Sequence, residues 1–169
     1  MSKRFFDIFI SFSLLIILLP FFLIFSFLIW YQDFFSPLYI SKRTGKDGVE
    51  FKFYKFRSMK IRADESGVNS TSSDDSRITS IGAIIRKYKV DELPQLINVF
   101  FGQMSLVGPR PNVSADVKIY TEAEKKLLTV KPGITDFSSI VFSDEGDILA
   151  FSKNPDLKYN QVIRPWKSR

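Results

Sequence analysis

The sequence predicts an α+β fold that is mostly helical and begins with a membrane-inserted segment. No charged residue occurs from Ile8 to Gln32, two segments rich in aromatic and β-branched residues flank a turn, and apolar residues recur at helical spacing further along. The 169 residues suit a single compact domain with one appended segment. We therefore expect a membrane segment at residues 1–36 and a globular domain at residues 37–169.

Composition restricts the chemistry that the chain can carry out. The net charge of +6 favours an anionic partner, which could be nucleic acid, an anionic lipid surface or a phosphorylated substrate. The absence of cysteine and histidine excludes disulfides, thiolate metal sites, thiol nucleophiles and a histidine base. Catalysis must therefore use carboxylates, hydroxyls and cations, and Mg²⁺, which prefers oxygen ligands, is the metal that this composition favours.

The apolar segment is long enough to enter a bilayer, since about 20 apolar residues cross its core. A cleavable signal peptide is disfavoured, because the stretch exceeds about 15 residues and no small-residue cleavage site follows it. Pro20 lies near the middle and removes a backbone hydrogen bond, so a break in the helix is expected there. Trp30 and Tyr31 end the segment, where amphipathic rings favour the headgroup layer.

Charged residues on both sides of the segment bear on its topology. Lys3 and Arg4 precede it, and the cations that follow it are Lys42, Arg43 and Lys46. Since cytoplasmic flanks are enriched in cations, both ends are predicted to face the cytoplasm. A re-entrant helix, which bends at the proline and returns to the same face, satisfies length, proline and charge. A straight span satisfies only the length, and these features leave both topologies open.

A small β-hairpin and a long loop are predicted next. Residues 37–43 and 49–56 are rich in aromatic and β-branched side chains and flank Gly45-Lys46-Asp47-Gly48, a turn-forming stretch. Residues 62–80 follow and show no apolar periodicity, so we expect a loop there.

Three helices are predicted in the remainder of the chain. The first, at residues 80–89, has Ser80 as its N-cap and is amphipathic and basic, so it either lies on a membrane surface or packs as an ordinary helix. The second, at residues 91–101, has Pro94 in its first turn. The third, at residues 121–129, begins with a capping-box pattern.

Asp91 and Glu92 are the first candidate site. They lie at a predicted helix start, and the cations just before them are Arg86, Lys87 and Lys89. In a structural interpretation, Asp91 is an N-cap and Glu92 a first-turn anion, as at most helix starts. In a functional interpretation, the helix dipole and the cations attract a phosphoryl group that Asp91 attacks, while Glu92 holds Mg²⁺. The two residues alone do not decide between these interpretations.

Two further segments carry cations. Pro109 and Pro111 stiffen the backbone around Arg110, which would hold the guanidinium for bidentate contact with a phosphate; the alternative is a structural turn. Lys55 and Arg57 lie at the end of the predicted hairpin, where cations beside aromatic residues are usually surface groups. Neither segment is decisive by itself.

Taken together, five ordered motifs resemble the monotopic phosphoglycosyl transferases, bacterial sugar transferases that load a sugar phosphate onto a polyprenol phosphate carrier. The resemblance extends from about Lys3 to Gly133, and the order of its motifs makes it specific. The motifs are Arg4-Phe5-Phe6-Asp7, Lys55-Phe56-Arg57-Ser58-Met59, Asp91-Glu92-Leu93-Pro94-Gln95-Leu96-Ile97-Asn98-Val99, Met104 to Pro111 and Lys131-Pro132-Gly133-Ile134-Thr135.

The resemblance implies a site and a topology. Asp91 is expected to be the nucleophile, and Asp91 and Glu92 are expected to work with Mg²⁺ as the cofactor. The cations that the resemblance places at the substrate phosphates or headgroups are Lys55, Arg57, Arg86 and Arg110. It also implies the re-entrant topology, because the membrane helix of the family breaks at a proline that matches Pro20.

The reaction implied is the transfer of a sugar 1-phosphate from a UDP-sugar to undecaprenyl phosphate, a polyprenol phosphate. It is expected to pass through a covalent aspartyl–phosphosugar intermediate, to release UMP and to initiate glycoconjugate assembly. The expected location is the cytoplasmic face of the bacterial inner membrane, with membrane lipids as partners, no nucleic acid, and a homodimer left open. The alternative is a non-catalytic anchored module that binds anionic lipids or a partner.

The chain departs from the family pattern at three places. Leu19 stands before Pro20, where the family usually has serine. Many members continue past Thr135 with Gly-Trp-Ala-Gln, whereas this chain has Asp136-Phe137-Ser138-Ser139, so its nucleotide and sugar contacts are expected to differ. Relatives often extend beyond the residue that matches Trp166, and a truncated chain is therefore an open alternative.

Overall fold

The structure is a computed structural model that describes residues 2–66 and 70–167. It contains helices and strands with helices in the majority, which confirms the predicted α+β class. An N-terminal helix pair is followed by an antiparallel hairpin and then by a series of short helices, among which two short strands pair in parallel.

The N-terminal helix pair consists of α1 (Ser2–Ile17) and α2 (Leu19–Tyr31). The two helices are bent by 61° at Leu18, and Pro20 lies in the first turn of α2, where its missing N–H is tolerated. The predicted break at the proline is therefore confirmed. No single helix in the described ranges is long and apolar enough to cross a membrane, whereas this bent pair meets that requirement by length and composition.

The surface of the helix pair is largely apolar. Such a continuous apolar surface is stable only when lipid or another apolar partner covers it. The large apolar side chains that are more than half exposed are Phe5, Phe6, Phe9, Phe12, Ile16, Ile17, Leu19, Phe21, Leu23, Ile24, Phe27 and Tyr31.

The predicted hairpin is present. Strand β1 (Leu38–Thr44) pairs antiparallel with β2 (Glu50–Phe56) over their full lengths. Asp47 and Gly48, in the connecting turn, have φ values of 57° and 78°. Aspartate and glycine are among the residues that tolerate this left-handed conformation, which explains why the turn forms here.

The predicted basic helix, α3, spans Ser80–Lys87. Its N-cap is Thr79, whose hydroxyl accepts a hydrogen bond from the backbone N–H of Gly82 at 2.9 Å. The prediction of Ser80 as the cap was therefore wrong by one residue, since serine and threonine cap about equally well. The helix stops before Lys89, because Lys89 has a left-handed φ of 56°.

The predicted helix at residues 91–101 is divided in two. Val90–Glu92 forms a single 3₁₀ turn, and α4 spans only Gln95–Phe100. Pro94 has no N–H to donate to the carbonyl of the first residue of the turn. That carbonyl instead accepts from Leu93 N–H at 3.1 Å, which is the tighter 3₁₀ pattern.

A parallel pair of short strands was not predicted. Strand β3 (Ser105–Val107) pairs with β4 (Gly133–Thr135). Strand β3 lies in the motif that contains Pro109, and β4 lies in the motif that begins at Lys131. A Cβ atom added to Gly133 would lie 2.1 Å from the backbone nitrogen of Gly108, so the two backbones can approach this closely only through glycine.

The remaining helices are short. The capping box predicted for the third helix is confirmed: Thr121 and Glu124 bond to each other's backbone N–H groups. That helix changes to a 3₁₀ turn at Lys126–Thr129, and a π-helical turn, Tyr159–Ile163, joins the last two helices. The short helices are α5 (Ser114–Lys118), α6 (Glu122–Lys125), α7 (Phe137–Val141), α8 (Glu145–Leu149), α9 (Pro155–Lys158) and α10 (Arg164–Lys167).

Two apolar clusters hold these elements together. One joins the hairpin to α4 and β3, and the other joins α2 to the hairpin and α3. Burial of such large side chains contributes about 1.5–3 kcal/mol each. The clusters consist of Phe51, Phe53, Val99 and Met104, and of Ile29, Phe56 and Ile85.

Asn98 fixes α4 against β2. Its side chain is fully buried and donates to the carbonyl of Lys52 and to the side-chain oxygen of Gln103, both at 2.6 Å. Its own oxygen accepts from Tyr54 N–H at 3.2 Å. Because all its polar groups are used, this buried amide sets the register of the helix on the strand that carries Lys55.

The first motif of the chain attaches α1 to the globular domain. Arg4 donates to the carbonyls of Val99 and Phe100 at 2.6 and 2.8 Å, at the C-terminal end of α4 where a cation is favourable. Asp7, which is only 4% exposed, accepts from Ser105 Oγ at 2.9 Å and from Leu106 N–H at 3.2 Å. The motif is therefore a structural attachment in this protein.

Candidate active site

Four charged side chains meet beside the 3₁₀ turn, and we call them the site cluster: Lys55, Asp91, Glu92 and Arg110. Glu92 Oε1 accepts from Lys55 Nζ at 2.8 Å and from Arg110 Nη2 at 2.7 Å, and Glu92 Oε2 lies 3.4 Å from Arg110 Nη1. Lys55 Nζ also lies 3.7 Å from Asp91 Oδ2. The structure thus brings together both predicted carboxylates and two of the four predicted cations.

Asp91 is not a helix cap. Lys89 precedes the 3₁₀ turn and Pro94 is the N-cap of α4, and neither position uses a side-chain cap. The structural interpretation of Asp91 as an N-cap is therefore wrong. Its side chain is only 7% exposed, and the structure records no hydrogen bond to either carboxylate oxygen within the described part of the chain. A buried carboxylate in this state costs stability, which is typical of a functional group.

The two adjacent carboxylates have opposite pKa shifts. Burial raises the pKa of Asp91, although the charge of Lys55 opposes the shift. Burial also acts against ionisation of Glu92, but the charges of Arg110 and Lys55 outweigh it and hold the pKa of Glu92 well below its usual range. Carboxylates whose environments separate their pKa values usually have different roles.

The pKa values of the two cations in the site cluster are also shifted. Burial lowers the pKa of Lys55, against the effect of the Glu92 carboxylate. Glu92 raises the pKa of Arg110, whose side chain remains 39% exposed. Arg110 is therefore anchored to Glu92 and still open on one side to an incoming anion.

Arg86 lies near the cluster but outside its ion pairs. It is on the last turn of α3, its Nη1 lies 3.5 Å from Ser58 Oγ, and its charge lowers the pKa of Asp91. This position is compatible with the substrate contact that the sequence predicts for Arg86.

Arg57 makes a different set of contacts, which we call the anchor cluster: Arg57, Asp33, Ser36 and the carbonyl of Ile29. Its guanidinium forms a bidentate ion pair with Asp33 at 2.5 and 2.6 Å, and its Nε donates to Ser36 O at 2.8 Å. Nη2 also lies 3.5 Å from Ile29 O. These contacts tie the end of α2 to the end of β2, so the structure gives Arg57 a structural contact, and its predicted role at the substrate stays a prediction.

The carboxylates of the site suit a magnesium ion by their chemistry. Mg²⁺ is commonly bound through one or two carboxylates together with substrate phosphates. Asp91 and Glu92 are two adjacent hard oxygen donors, and Asp91 has oxygens that no described group engages by a hydrogen bond. Residues 2–66 and 70–167 contain no group of three acidic, histidine or cysteine side chains that could hold a metal without such a substrate.

The C-terminal helices supply charged groups that the sequence did not predict. Glu145 on α8 raises the pKa of Arg110. After burial, the charge of Glu145 is the next cause that raises the pKa of Tyr159, to about 12. Asp136 caps α7 through a hydrogen bond from Ser139 N–H at 2.6 Å. Only Asp136 had a signal in the sequence, since aspartate is one of the favoured N-cap residues.

The long loop reaches the same region. Ser73 N–H donates to Gly146 O at 2.9 Å, and Phe151 N–H donates to Asp74 Oδ2 at 3.2 Å. The prediction of a loop at residues 62–80 is confirmed for most of its described residues; the exceptions are a 3₁₀ turn at Ala63–Ser66, an isolated β-bridge between Ile78 and Met59, and Ser80, which begins α3. Residues 67–69 lie outside the described ranges.

Comparison with protein families gives a match over almost the whole chain. A family model described as bacterial sugar transferase matches residues 1–167. This range includes the helix pair, the site cluster and the C-terminal helices.

Three relatives illustrate the similarity. The chain is 44% identical over 133 residues to a Bacillus subtilis (strain 168) protein that is provisionally named as an undecaprenyl-phosphate N-acetylgalactosaminyl 1-phosphate transferase; the alignment covers 79% of this chain and 70% of the relative. It is 38% identical to the exopolysaccharide production protein ExoY of Sinorhizobium fredii, over 79% of this chain and 66% of the relative. It is 39% identical to the undecaprenyl-phosphate galactose phosphotransferase of Salmonella typhimurium, over 79% of this chain and 31% of the relative.

The similarity therefore covers the sequence motifs and the residues that the fold brings together. Asp91, Glu92, Lys55 and Arg110 all lie within the matched range and form one cluster. The predicted family and the prediction of a transferase are confirmed: this chain belongs to the bacterial sugar transferase family.

Proposed function

We propose that this protein transfers a sugar 1-phosphate from a UDP-sugar to a polyprenol phosphate, with undecaprenyl phosphate as the acceptor, and so initiates glycoconjugate assembly. The observation that carries the proposal is the state of Asp91. Its carboxylate is buried, does not cap a helix and lies 3.7 Å from Lys55 Nζ, which forms a shorter contact with the neighbouring Glu92. The names of two relatives support the same acceptor and the transfer of a sugar phosphate, since one refers to undecaprenyl phosphate and N-acetylgalactosaminyl 1-phosphate and the other to undecaprenyl phosphate and galactose.

In the first step, a carboxylate oxygen of Asp91 attacks the phosphorus atom that carries the sugar. A bond forms between that oxygen and phosphorus, and the bond from phosphorus to the oxygen of UMP breaks, so UMP leaves with the electron pair. The result is an acyl phosphate, a mixed anhydride between the Asp91 carboxylate and the sugar phosphate. Ionised Asp91 is required, and the nearby charges of Lys55 and Arg86 favour that form against the effect of burial.

In the second step, a phosphate oxygen of the polyprenol phosphate attacks the same phosphorus atom. The bond between phosphorus and the Asp91 oxygen breaks, which yields a polyprenyl diphosphate sugar and free Asp91. Splitting the transfer into two displacements allows a soluble donor and a lipid acceptor to use one site in turn.

The cations of the cluster have a separate role. Arg110 is held by Glu92 and is open on its other side, so it can bind diphosphate oxygens in a fixed orientation. Asp91 and Glu92 would hold Mg²⁺ together with the phosphates, and the ion would supply charge neutralisation at the phosphoryl oxygens. Lys55 keeps the Glu92 carboxylate in place by its 2.8 Å contact.

We further propose that residues 1–36 enter the cytoplasmic leaflet of the bacterial inner membrane and return, while residues 37–169 form the catalytic domain at its cytoplasmic face. The 61° bend and the exposed apolar surface of the helix pair support this topology, as does the cationic character of both flanks. Ile84 on α3 is 55% exposed, and Tyr88, the C-cap of this helix, is 68% exposed; Lys87 lies between them in the sequence, as expected for a helix on an anionic surface.

The proposal is tested by UMP release in nanodiscs that contain undecaprenyl phosphate, with a panel of UDP-sugars and Mg²⁺. Without the acceptor lipid, we expect a burst of about one UMP per enzyme and a phosphosugar adduct on Asp91 by mass spectrometry. Asp91→Asn should abolish both, because an amide is not a nucleophile here. Asp47→Asn is the matched control, since Asp47 is an exposed turn residue and asparagine tolerates its left-handed backbone.

Two outcomes would contradict the proposal. An adduct on another residue would exclude Asp91 as the nucleophile. A folded wild-type protein that binds anionic lipid but releases no UMP from any donor would favour the anchored, non-catalytic module.

A further inference from the structure

Two cations from distant parts of the sequence lie over one glycine at the start of α1. A Cβ atom added to Gly102 would lie 2.9 Å from Arg4 Nη2 and 3.5 Å from Lys131 Nζ. Gly102 also has a left-handed φ of 83°, so glycine both allows the turn that follows α4 and leaves room for the two side chains. The fold therefore brings Arg4 and Lys131 together.

A third cation lies next to this pair. Lys3 Nζ donates to Ser105 Oγ and to the carbonyl of Val107, the latter at 3.1 Å. Ser105 N–H in turn donates at 2.8 Å to the carbonyl of Pro132, the residue after Lys131. Lys3 is thus attached to the strand pair beside Lys131. We call these three side chains the basal cluster: Lys3, Arg4 and Lys131.

The basal cluster has donors that no described group accepts. Arg4 donates to the carbonyls of Val99 and Phe100, and Lys131 forms no hydrogen bond or ion pair within residues 2–66 and 70–167. A guanidinium has five N–H groups and an ammonium has three. Within the described ranges, three N–H groups of Arg4 and all three of Lys131 are therefore available to an anion.

The charges of the basal cluster oppose one another. Burial lowers the pKa of Lys131, and the charges of Arg4, Lys46 and Lys3 lower it further, whereas Asp7 acts in the opposite direction. Lys3 and Arg4 also lie in the first turn of α1, where the helix dipole disfavours a cation. A bound anion would relieve both unfavourable effects.

The apolar surroundings favour a lipid phosphate over a free anion. Phe5 directly follows Arg4 and is 73% exposed, and Phe101 directly precedes Gly102 and is 72% exposed. A free phosphate gains nothing from exposed rings. A phospholipid, in contrast, presents a phosphate and acyl chains in one molecule, so it can satisfy the cations and cover the rings.

We propose that Arg4 and Lys131 bind the phosphate of an anionic phospholipid where α1 leaves the globular domain. Lys3 adds positive charge beside this site. Within the described part of the chain, no hydrogen bond or ion pair joins Arg4 or Lys131 to the site cluster, so this headgroup site is separate from the proposed catalytic one. The inference rests on the proposed insertion of residues 1–36 and is independent of the proposed reaction.

The inference is tested by native mass spectrometry of the full chain in a neutral detergent. Phosphatidylglycerol and phosphatidylcholine with identical acyl chains are titrated separately. Both lipids can cover the apolar helix pair, but only phosphatidylglycerol carries a net charge, so the wild type should prefer it. Lys131→Gln should lower the affinity for phosphatidylglycerol about fivefold, the contribution of one cation at an anionic lipid surface, and leave that for phosphatidylcholine unchanged. Lys131→Arg should keep the wild-type affinity, because it keeps the charge.

Two control variants separate this site from other sources of lipid binding. Lys118→Gln is the matched control, because Lys118 is an exposed lysine on α5 and its loss changes the net charge equally. Arg110→Ala tests the site cluster as the place where the headgroup binds, and it should leave the preference for phosphatidylglycerol intact. If Lys131→Gln does not fold, Lys131→Met replaces it, since methionine keeps an apolar stem without the charge.

Four outcomes would overturn the inference. The first is equal wild-type affinity for the two lipids, and the second is an equal loss of affinity in Lys131→Gln and Lys118→Gln. The third is a loss of the preference in Arg110→Ala alone. The fourth is displacement of phosphatidylglycerol by inorganic phosphate at equal concentration, which would indicate a site for free anions.

Failure of this inference can be distinguished from failure of the proposed function. A wild-type protein that retains neither lipid would contradict membrane insertion and overturn the inference with it. A wild-type protein that prefers phosphatidylglycerol but releases no UMP would contradict only the proposed reaction, because the binding measurement requires no turnover.

Discussion

Lys55 and Arg57 are only two residues apart at the end of β2, yet they belong to clusters of opposite character. In the anchor cluster, each nitrogen of the Arg57 guanidinium has an acceptor. Nε donates to the carbonyl of Ser36, and the other two nitrogens donate short hydrogen bonds to the Asp33 carboxylate. In the site cluster, two carboxylates share the cations, and Asp91 is left without a hydrogen bond from any described group. A cluster whose groups are all paired holds the fold together, whereas one with a spare buried carboxylate can do chemistry.

After Asp91→Asn, the largest effect should follow from breaking the site cluster at Glu92. Glu92→Ala leaves Lys55 and Arg110 without their shared partner, so we expect kcat/KM for UMP release to fall about 10³-fold, and the free energy of unfolding to fall by about 3 kcal/mol. Glu122→Ala is the control, since Glu122 pairs with Lys125 in an exposed contact. Wild-type turnover in Glu92→Ala would exclude the site cluster from catalysis.

Breaking the anchor cluster should mainly affect stability. Arg57→Ala should lower the free energy of unfolding by about 2 kcal/mol, because Asp33 loses a bidentate, charge-assisted partner. Arg57→Lys should recover only part of this, since an ammonium cannot form both contacts. Arg62→Ala, which removes an exposed pair with Glu65, should change stability by less than about 0.5 kcal/mol. Thermal unfolding in nanodiscs measures all three. A loss of UMP release by Arg57→Ala that exceeds its loss of stability would instead support the predicted substrate contact.

Acidification should inactivate the protein before it weakens the anchor cluster. The pKa of Asp91 is raised above its ordinary 3.8, so Asp91 becomes protonated, and unreactive, at a higher pH than an ordinary aspartate. The hydrogen bond from Arg57 lowers the pKa of Asp33, so its contribution to stability is complete above pH 3.8 and is lost as the pH falls below that value. When both are measured over the same pH series, the UMP burst should therefore be lost at a higher pH than the pH at which the thermal midpoint falls. Loss of both at the same pH would contradict the opposite shifts.

The smallest expected effect is that of Lys55→Met on the acid limb of the pH profile, which is the pH range in which the UMP burst is lost on acidification. The charge of Lys55 lowers the pKa of Asp91, so its removal should move the acid limb of the UMP burst to higher pH. Lys52→Met is the matched control, since Lys52 is an exposed residue of the same strand. An unchanged limb in Lys55→Met would mean that another group controls the ionisation of Asp91.

Much of the local structure could be predicted from the sequence. The hairpin turn, the break next to Pro20 and the capping box at Thr121 depend on side chains within a few residues of each other, and all three are confirmed. The errors are also local. Ser80 was predicted as the N-cap of α3, but the cap is Thr79. The helix expected from Asp91 begins only at Gln95, because the left-handed Lys89 and Pro94 together favour a 3₁₀ turn.

The strand pair and the C-terminal contacts could not be predicted. Ser105 pairs with Gly133 across 28 residues, and each strand has only three residues, too few for a period to emerge. Glu145 raises the pKa of Arg110 only because the fold brings α8 near the loop that carries Arg110. No spacing in the sequence indicates such contacts.

By itself, the sequence determined the apolar helix pair with its break, the candidate nucleophile Asp91 and the family, because each depends on local composition or on ordered motifs. The tertiary structure decided which cations serve the site. Lys55 and Glu92 are 37 residues apart, and Arg110 and Glu92 are 18 apart, so these contacts exist only because Asn98 fixes α4 on β2 and the two glycines fix the Arg110 loop on β4. The same packing places Asp33 within reach of Arg57. Arg57 therefore pairs with Asp33, although Lys55, two residues earlier in the sequence, pairs with Glu92.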